Sequence, residues 1–184
     1  MTRPKIRLLG LSGSLRRVST NTALLQAAAA AAPENVDLHL FERLADLPIF
    51  NPDLEDGPLP EPVVGLRHAV SAADGLVFAV PEYAHGIPGG LKNALDWLVS
   101  GSEIPGKPVA FFHASPRSHH GRAALEEVLR TMSTIVVPEA SVTVPLLGLS
   151  PEAMTGRLAE AETADALRQG LGTFVEIVRR CRRA

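Results

Sequence analysis

The sequence predicts an α/β fold: a five-stranded parallel sheet of strand order 2-1-3-4-5, sandwiched between two layers of helices. Three observations carry that reading. Short apolar runs alternate with helix-forming stretches along the chain, the signature of repeated strand–crossover–strand units. One run, Gly75-Leu-Val-Phe-Ala-Val80, is apolar throughout, as a strand buried on both faces must be. Strands also run into loops rich in Gly, Pro and hydroxyls, which places candidate sites at the carboxyl ends of a parallel sheet, where ligands bind in open α/β folds. Right-handed crossovers then leave few ways of arranging the strands.

The elements follow in order. Ile6 to Leu11 is the first strand, and the polar loop Ser12 to Thr22 leads into an Ala- and Leu-rich helix from Thr20 to Ala32. Val36 to Phe41 alternates as a second strand. Leu47 to Pro60 is a Pro-rich surface loop whose Leu, Ile and Phe should pack down. Pro62 to Ala73 is the second helix, with Val63, Leu66 and Val70 on one face. Pro81 ends the third strand, since proline cannot donate to a sheet ladder. Pro88 opens a third helix that runs to about Ser100, with Leu91, Leu95 and Leu98 spaced along one face. Val109 to His113 is the fourth strand, Arg122 to Ile135 the fourth helix and Ser141 to Val144 a fifth, alternating strand. The last helix, Ala159 to about Arg182, ends in four arginines that suit the negative end of a helix dipole.

Composition bounds the function. The 184 residues suggest one domain spanning 1–184. Charged residues make up 21%, and a formal net charge of -2 gives no support for a nucleic-acid or anionic-membrane partner. The lone cysteine, Cys181, forms no disulfide within the chain and points to a reducing cytoplasm. The start carries too short an apolar run for a signal peptide, and no segment approaches membrane-spanning length.

Two loops carry chemistry. Between Ser12 and Thr22 lie five hydroxyls, an amide and two arginines at a helix start. Ser14, Ser19, Thr20 and Thr22 offer hydroxyls, Asn21 an amide and Arg16 a bidentate cation, around the positive end of a helix dipole. One such residue suffices to cap a helix, so the density favours an anion. Neither Gly-x-x-x-x-Gly-Lys-Ser/Thr nor Gly-x-Gly-x-x-Gly is present, which favours a terminal monophosphate over a pyrophosphate. The second loop, Pro81-Glu-Tyr-Ala-His-Gly86, precedes Ile87-Pro-Gly-Gly-Leu-Lys-Asn-Ala-Leu-Asp-Trp97.

With both loops in view, the chain resembles the NADPH-dependent FMN reductase family, a flavodoxin-like group that includes chromate, quinone and azo reductases. The resemblance rests on Gly13-Ser-Leu-Arg-x-x-Ser-x-Asn21 and on Pro81-Glu-Tyr-x-x-x-Ile-Pro-Gly-x-Leu-Lys-Asn-Ala-Leu-Asp-Trp97, with a weaker segment at Ser115 to Gly121. It implies a flavodoxin-like three-layer sandwich holding FMN, with NADPH or NADH as electron donor and a small-molecule acceptor: a quinone, an azo compound, a metal oxyanion or free flavin. It implies that Ser14, Arg16, Ser19, Thr20, Asn21 and Thr22 hold the phosphate. Pro81, Glu82, Tyr83, Ala84, His85 and Gly86 would meet the isoalloxazine ring, with the segment from Ser115 to Gly121 closing the other edge. A homodimer or homotetramer is implied as well. Ala84 stands where the family usually has Asn, which keeps a backbone contact and loses any side-chain bond.

Other residues have plainer readings. His85, His113, His119 and His120 match no metal-ligand spacing. Glu82 and Tyr83 could pair as acid and base, but a flavin needs neither for hydride transfer, so shaping the loop is an equal reading. Trp97 is read as an interface aromatic and Cys181 as inert. The helix beginning near Gly121 is a possible source of a stabilising field. Two rival classes are a flavodoxin-type electron carrier, disfavoured by the near-neutral charge, and a regulatory module that has lost its flavin, supported only by Ala84.

Overall fold

The Ile6–Ser12 strand, β1, buries every residue except Arg7, because it lies inside the sheet with helices on both sides. The structure, a computed structural model, describes residues 5–117 and 119–183; Ser118, Ala184 and the start of the chain before Lys5 lie outside the described residues. After β1 come α1 (Thr20–Ala30), β2 (Val36–Leu40), α2 (Glu61–Ala72), β3 (Gly75–Ala79), α3 (Gly89–Val99), β4 (Pro108–His113), α4 (His119–Thr131), β5 (Ile135–Val136), β6 (Val142–Thr143), α5 (Pro151–Ala159) and α6 (Ala161–Cys181). All strand pairings are parallel and the order is β2-β1-β3-β4-β5, with β6 also on β4. The expected order is the observed one.

β3 and β4 are buried at every residue, and successive side chains go to opposite faces. Leu8, Val77, Ala110 and Phe112 meet Leu24 and Leu25 of α1 and Phe174 and Val178 of α6. Leu9, Phe78, Val109 and Phe111 meet Leu66 of α2, Leu95 of α3 and Leu125 of α4. Two cores on one sheet make the three layers, and α6 belongs to the first of them.

Four expectations need correction. The expected fifth strand is half of a broken edge. Ile135–Val136 pairs with the start of β4 and Val142–Thr143 with its end, and a 3-10 turn at Pro138–Ala140 separates them. Proline at 138 has no N–H to give the ladder. The fourth helix begins earlier and ends at Thr131, because Ser133 takes a left-handed conformation (φ 61) and the Thr134 N–H donates back to the Leu129 carbonyl at 3.0 Å. A helix absent from the sequence reading, α5, is capped by Ser150, whose hydroxyl accepts from the Ala153 N–H at 3.2 Å.

The fourth correction is Trp97, which is fully buried. Its indole Nε1–H donates to the Pro48 carbonyl at 2.8 Å, and Phe50 packs edge-on against it at 5.0 Å. Asn93 Oδ1 accepts from the Phe50 N–H at 2.8 Å, and its Nδ2 donates to the Pro48 carbonyl at 2.9 Å. The Pro-rich loop is therefore pinned to α3, as its apolar residues predict, although Ile49 stays 82% exposed.

Candidate active site

β1, β3 and β4 all end at the same edge of the sheet, so the three loops that follow them converge. Between them lies a cleft of roughly 320 Å³, lined by Ser14, Arg16, Ser19, Thr20 and Asn21 from the first loop, Val80 to Tyr83 from the second, and Ala114, Ser115 and Arg117 from the third, with Leu147 at the margin. Its size falls within the range of small-molecule sites, about 300–1,000 Å³.

The first loop can approach the second because of Gly13. A β-carbon there would lie 2.8 Å from Val80 Cγ1 and 3.3 Å from Pro81 Cδ. The Gly13 N–H donates to the Ala79 carbonyl at 2.9 Å, tying the loop to the end of β3. Ser19 caps α1, its hydroxyl accepting from the Thr22 N–H at 3.2 Å. Thr22 does not line the cleft: its hydroxyl is hydrogen-bonded to Ser12 Oγ at 2.8 Å. Asn21 is 5% exposed and its Oδ1 has no partner, an unsatisfied amide beside the first turn of α1.

The second loop turns back on itself. Tyr83 and Gly86 exchange backbone hydrogen bonds of 3.2 and 2.9 Å, with Ala84 (φ 49) and His85 (φ 58) at the tip. Two left-handed residues between a bonded pair match a type I′ turn, which favours Asn or Gly at its centre. Ala84, His85 and Gly86 thus project beyond the residues lining the cleft, while Pro81, Glu82 and Tyr83 line it.

Glu82 links this loop to α4: its Oε2 accepts from the Gly121 N–H at 2.8 Å. That N–H, with the His120 and His85 imidazoles nearby, holds the Glu82 carboxyl below the usual carboxylate range. Glu82 is an anion at neutral pH, and its geometry is that of a clamp rather than a proton donor. Gly121 does not line the cleft, and the N–H at the start of α4 is already committed to that carboxylate.

His113, at the end of β4, is buried with Nε2 unpartnered. Burial, assisted by the Arg122 charge, pushes its imidazole down to about 4, so it is neutral at pH 7. Among the described residues, no three His, Cys, Asp or Glu side chains are placed to hold a metal ion. Among them also, no helix is long and apolar enough to cross a membrane. Sequence reasoning missed Arg117, which sits inside a loop it did single out, and Leu147, which carries no local signal.

The same loops and strands, residues 6–146, match the NADPH-dependent FMN reductase family. The chain belongs to that family. It is 33% identical over 181 residues to an NAD(P)H-dependent FMN reductase of Pseudomonas aeruginosa, covering 96% of this chain and 97% of that one. A quinone reductase of Escherichia coli is 30% identical over 183 residues, with 96% and 97% covered. Among solved structures, the flavoenzyme NAD(P)H:(acceptor) oxidoreductase FerB of Paracoccus denitrificans superposes with a TM-score of 0.80 at 26% identity, covering 95% of this chain and 98% of that one.

The residues of the cleft fit FMN. A phosphate needs N–H and O–H donors and positive charge. The first loop has the α1 terminus, Ser14, Thr20 and Arg16, and the Asn21 amide also belongs to the lining. Arg16 and Arg117 against Glu82 leave the lining cationic on balance.

Proposed function

We propose that this chain is an FMN-dependent NAD(P)H oxidoreductase that reduces a small acceptor such as a quinone, an azo compound, a metal oxyanion or free flavin. The convergence of its two motif loops on one cleft, at the carboxyl ends of β1 and β3, is the observation that carries this reading. The names of the relatives, an FMN reductase and a quinone reductase, support the acceptor classes. FMN held in this cleft would supply hydride acceptance at N5 and ping-pong electron transfer to an acceptor.

The chain binds, orients and holds charge. Ser14, Arg16, Ser19, Thr20 and Asn21 would take the phosphate, with Thr22 bracing the loop through Ser12. Pro81, Glu82, Tyr83 and Ser115 would border the ring, with Ala84, His85, Gly86 and Gly121 shaping that wall from behind. Arg117 adds a second cation. Orientation of two flat reactants in one cleft is the protein's main contribution to rate.

The packing of α6 into the same core as α1 supports one domain over 1–184. A homodimer or homotetramer completes the reading, since exposed apolar side chains such as Ile49 and Leu15 would gain from a partner copy. The lone cysteine suits a reducing cytoplasm.

An absorbance spectrum of the purified protein, followed by anaerobic NADPH, tests the proposal. A flavin band that bleaches within the time of turnover is expected. A band that persists would assign the chain to electron carriage, and no band after added FMN would overturn the reading.

A further inference from the structure

His85 and His120 lie outside the cleft lining, yet their rings stack with centroids 4.4 Å apart and planes at 25°. His85 occupies the left-handed tip of the turn closed by Tyr83 and Gly86, which fixes where its ring leaves the backbone. His120 belongs to the first turn of α4. Beside the rings, Glu82 accepts the Gly121 N–H, and the backbones come so close that a β-carbon on Gly121 would lie 3.0 Å from the Gly86 carbonyl oxygen. Ring on ring, N–H on carboxylate and backbone on backbone all join one wall of the cleft to α4.

We propose that His85 and His120 are positioning residues, a titratable clasp that holds the 82–86 loop as the wall of the cleft while at most one ring is charged and loosens it when both are. This rests on reading the cleft as the FMN site. Of the charged groups, Glu82 lies against both imidazoles, while His119, Arg122 and Glu126 share α4 with His120 and Arg117 precedes it in the sequence. Arg122 is paired with Glu126 at 2.9 Å, which leaves Glu82 as the carboxylate set against the imidazoles. One proton on the pair is balanced by that carboxylate. A second puts two like charges in ring contact, which a stack does not tolerate without a further anion. Glu82, held below the ordinary carboxylate range, stays ionised at neutral and mildly acidic pH, so its charge is present while the rings gain protons.

His120 is exposed, so substitutions there spare the fold. His120→Phe keeps a ring to stack and cannot charge; His120→Ala removes the stack. Ring titration of the flavin-free protein by NMR should show His85 and His120 losing protons in two coupled steps more than about one pH unit apart. In His120→Phe, His85 should titrate in one step. FMN affinity, read from quenching of flavin fluorescence, should fall about tenfold more in the wild type than in His120→Phe between pH 8 and 5.5, the binding counterpart of one pH unit of coupling. His120→Ala should bind more weakly than both at pH 8. Superimposable pH profiles for the wild type and His120→Phe, or independent titration of the two rings, would overturn the clasp. Absence of FMN binding by every variant at pH 8 would instead sink the FMN reading and leave the ring titration to decide the clasp.

Discussion

At the scale of single residues, His113 shows how burial becomes a pH dependence. The unfolded chain takes up a proton on this imidazole below its ordinary value of 6.5, while the folded chain refuses it until about 4. Stability is therefore drained as pH falls through that window, by up to about 3 kcal/mol, and nothing is lost above it. Phe111 lies nearly parallel to the His113 ring at 6.1 Å, so His113→Phe keeps an aromatic there and removes the buried, unpartnered Nε2. Denaturant melts of His113→Phe should match or exceed the wild type at pH 7 and show a smaller loss between pH 6.5 and 4; an equal loss would mean the proton is taken up elsewhere. Glu82 behaves oppositely, since its carboxyl is depressed by a hydrogen bond to its charged form: its contribution is present above the ordinary carboxylate range and disappears only in stronger acid.

At the scale of elements, the coupling between the 82–86 loop and α4 matters most. A helix start with free N–H groups attracts anions, but here the Gly121 N–H is donated to Glu82, so the field of α4 is spent on holding the cleft wall. Gly121→Ala tests that contact. The new methyl would press on the Gly86 carbonyl and, at 3.1 Å, on Glu82 Cγ, while slightly favouring the helix. FMN affinity should drop several-fold with little change in Tm; unchanged affinity would show that the loop does not need its fixed distance from α4. The helix, the strand before the loop and the turn residues were readable locally. The bond from Glu82 to Gly121 was not, because it spans 39 residues and no periodicity encodes it.

At the scale of the whole molecule, the sheet brings Arg16, in the loop after β1, and Arg117, in the loop after β4, into one cleft. If Arg16 serves a phosphate, Arg16→Ala should weaken FMN about tenfold or more and leave riboflavin, which lacks the phosphate, nearly unaffected. Isothermal titration with both ligands decides this, and equal losses for the two would move Arg16 away from the phosphate. The cationic balance of the lining also predicts that FMN binding weakens with added salt.

The sequence by itself determined the α/β class, the strand order, the buried character of the central strands and the two loops that line the cleft. All but the strand order depend on information held within a few residues, such as a run of apolar side chains, a cap, a proline or a cluster of hydroxyls. The order follows from the alternation of elements and right-handed crossovers. Only the tertiary structure decided where those groups spend their hydrogen bonds. Thr22 turns to Ser12, Glu82 to Gly121, and the Trp97 indole to a carbonyl 49 residues away, which makes Trp97 core rather than interface. The broken edge strand belongs with these, since Ile135 and Val142 are strand residues only because β4 offers them one edge on either side of Pro138. Local chemistry sets which groups a segment can offer, and packing between distant segments selects which offers are taken up.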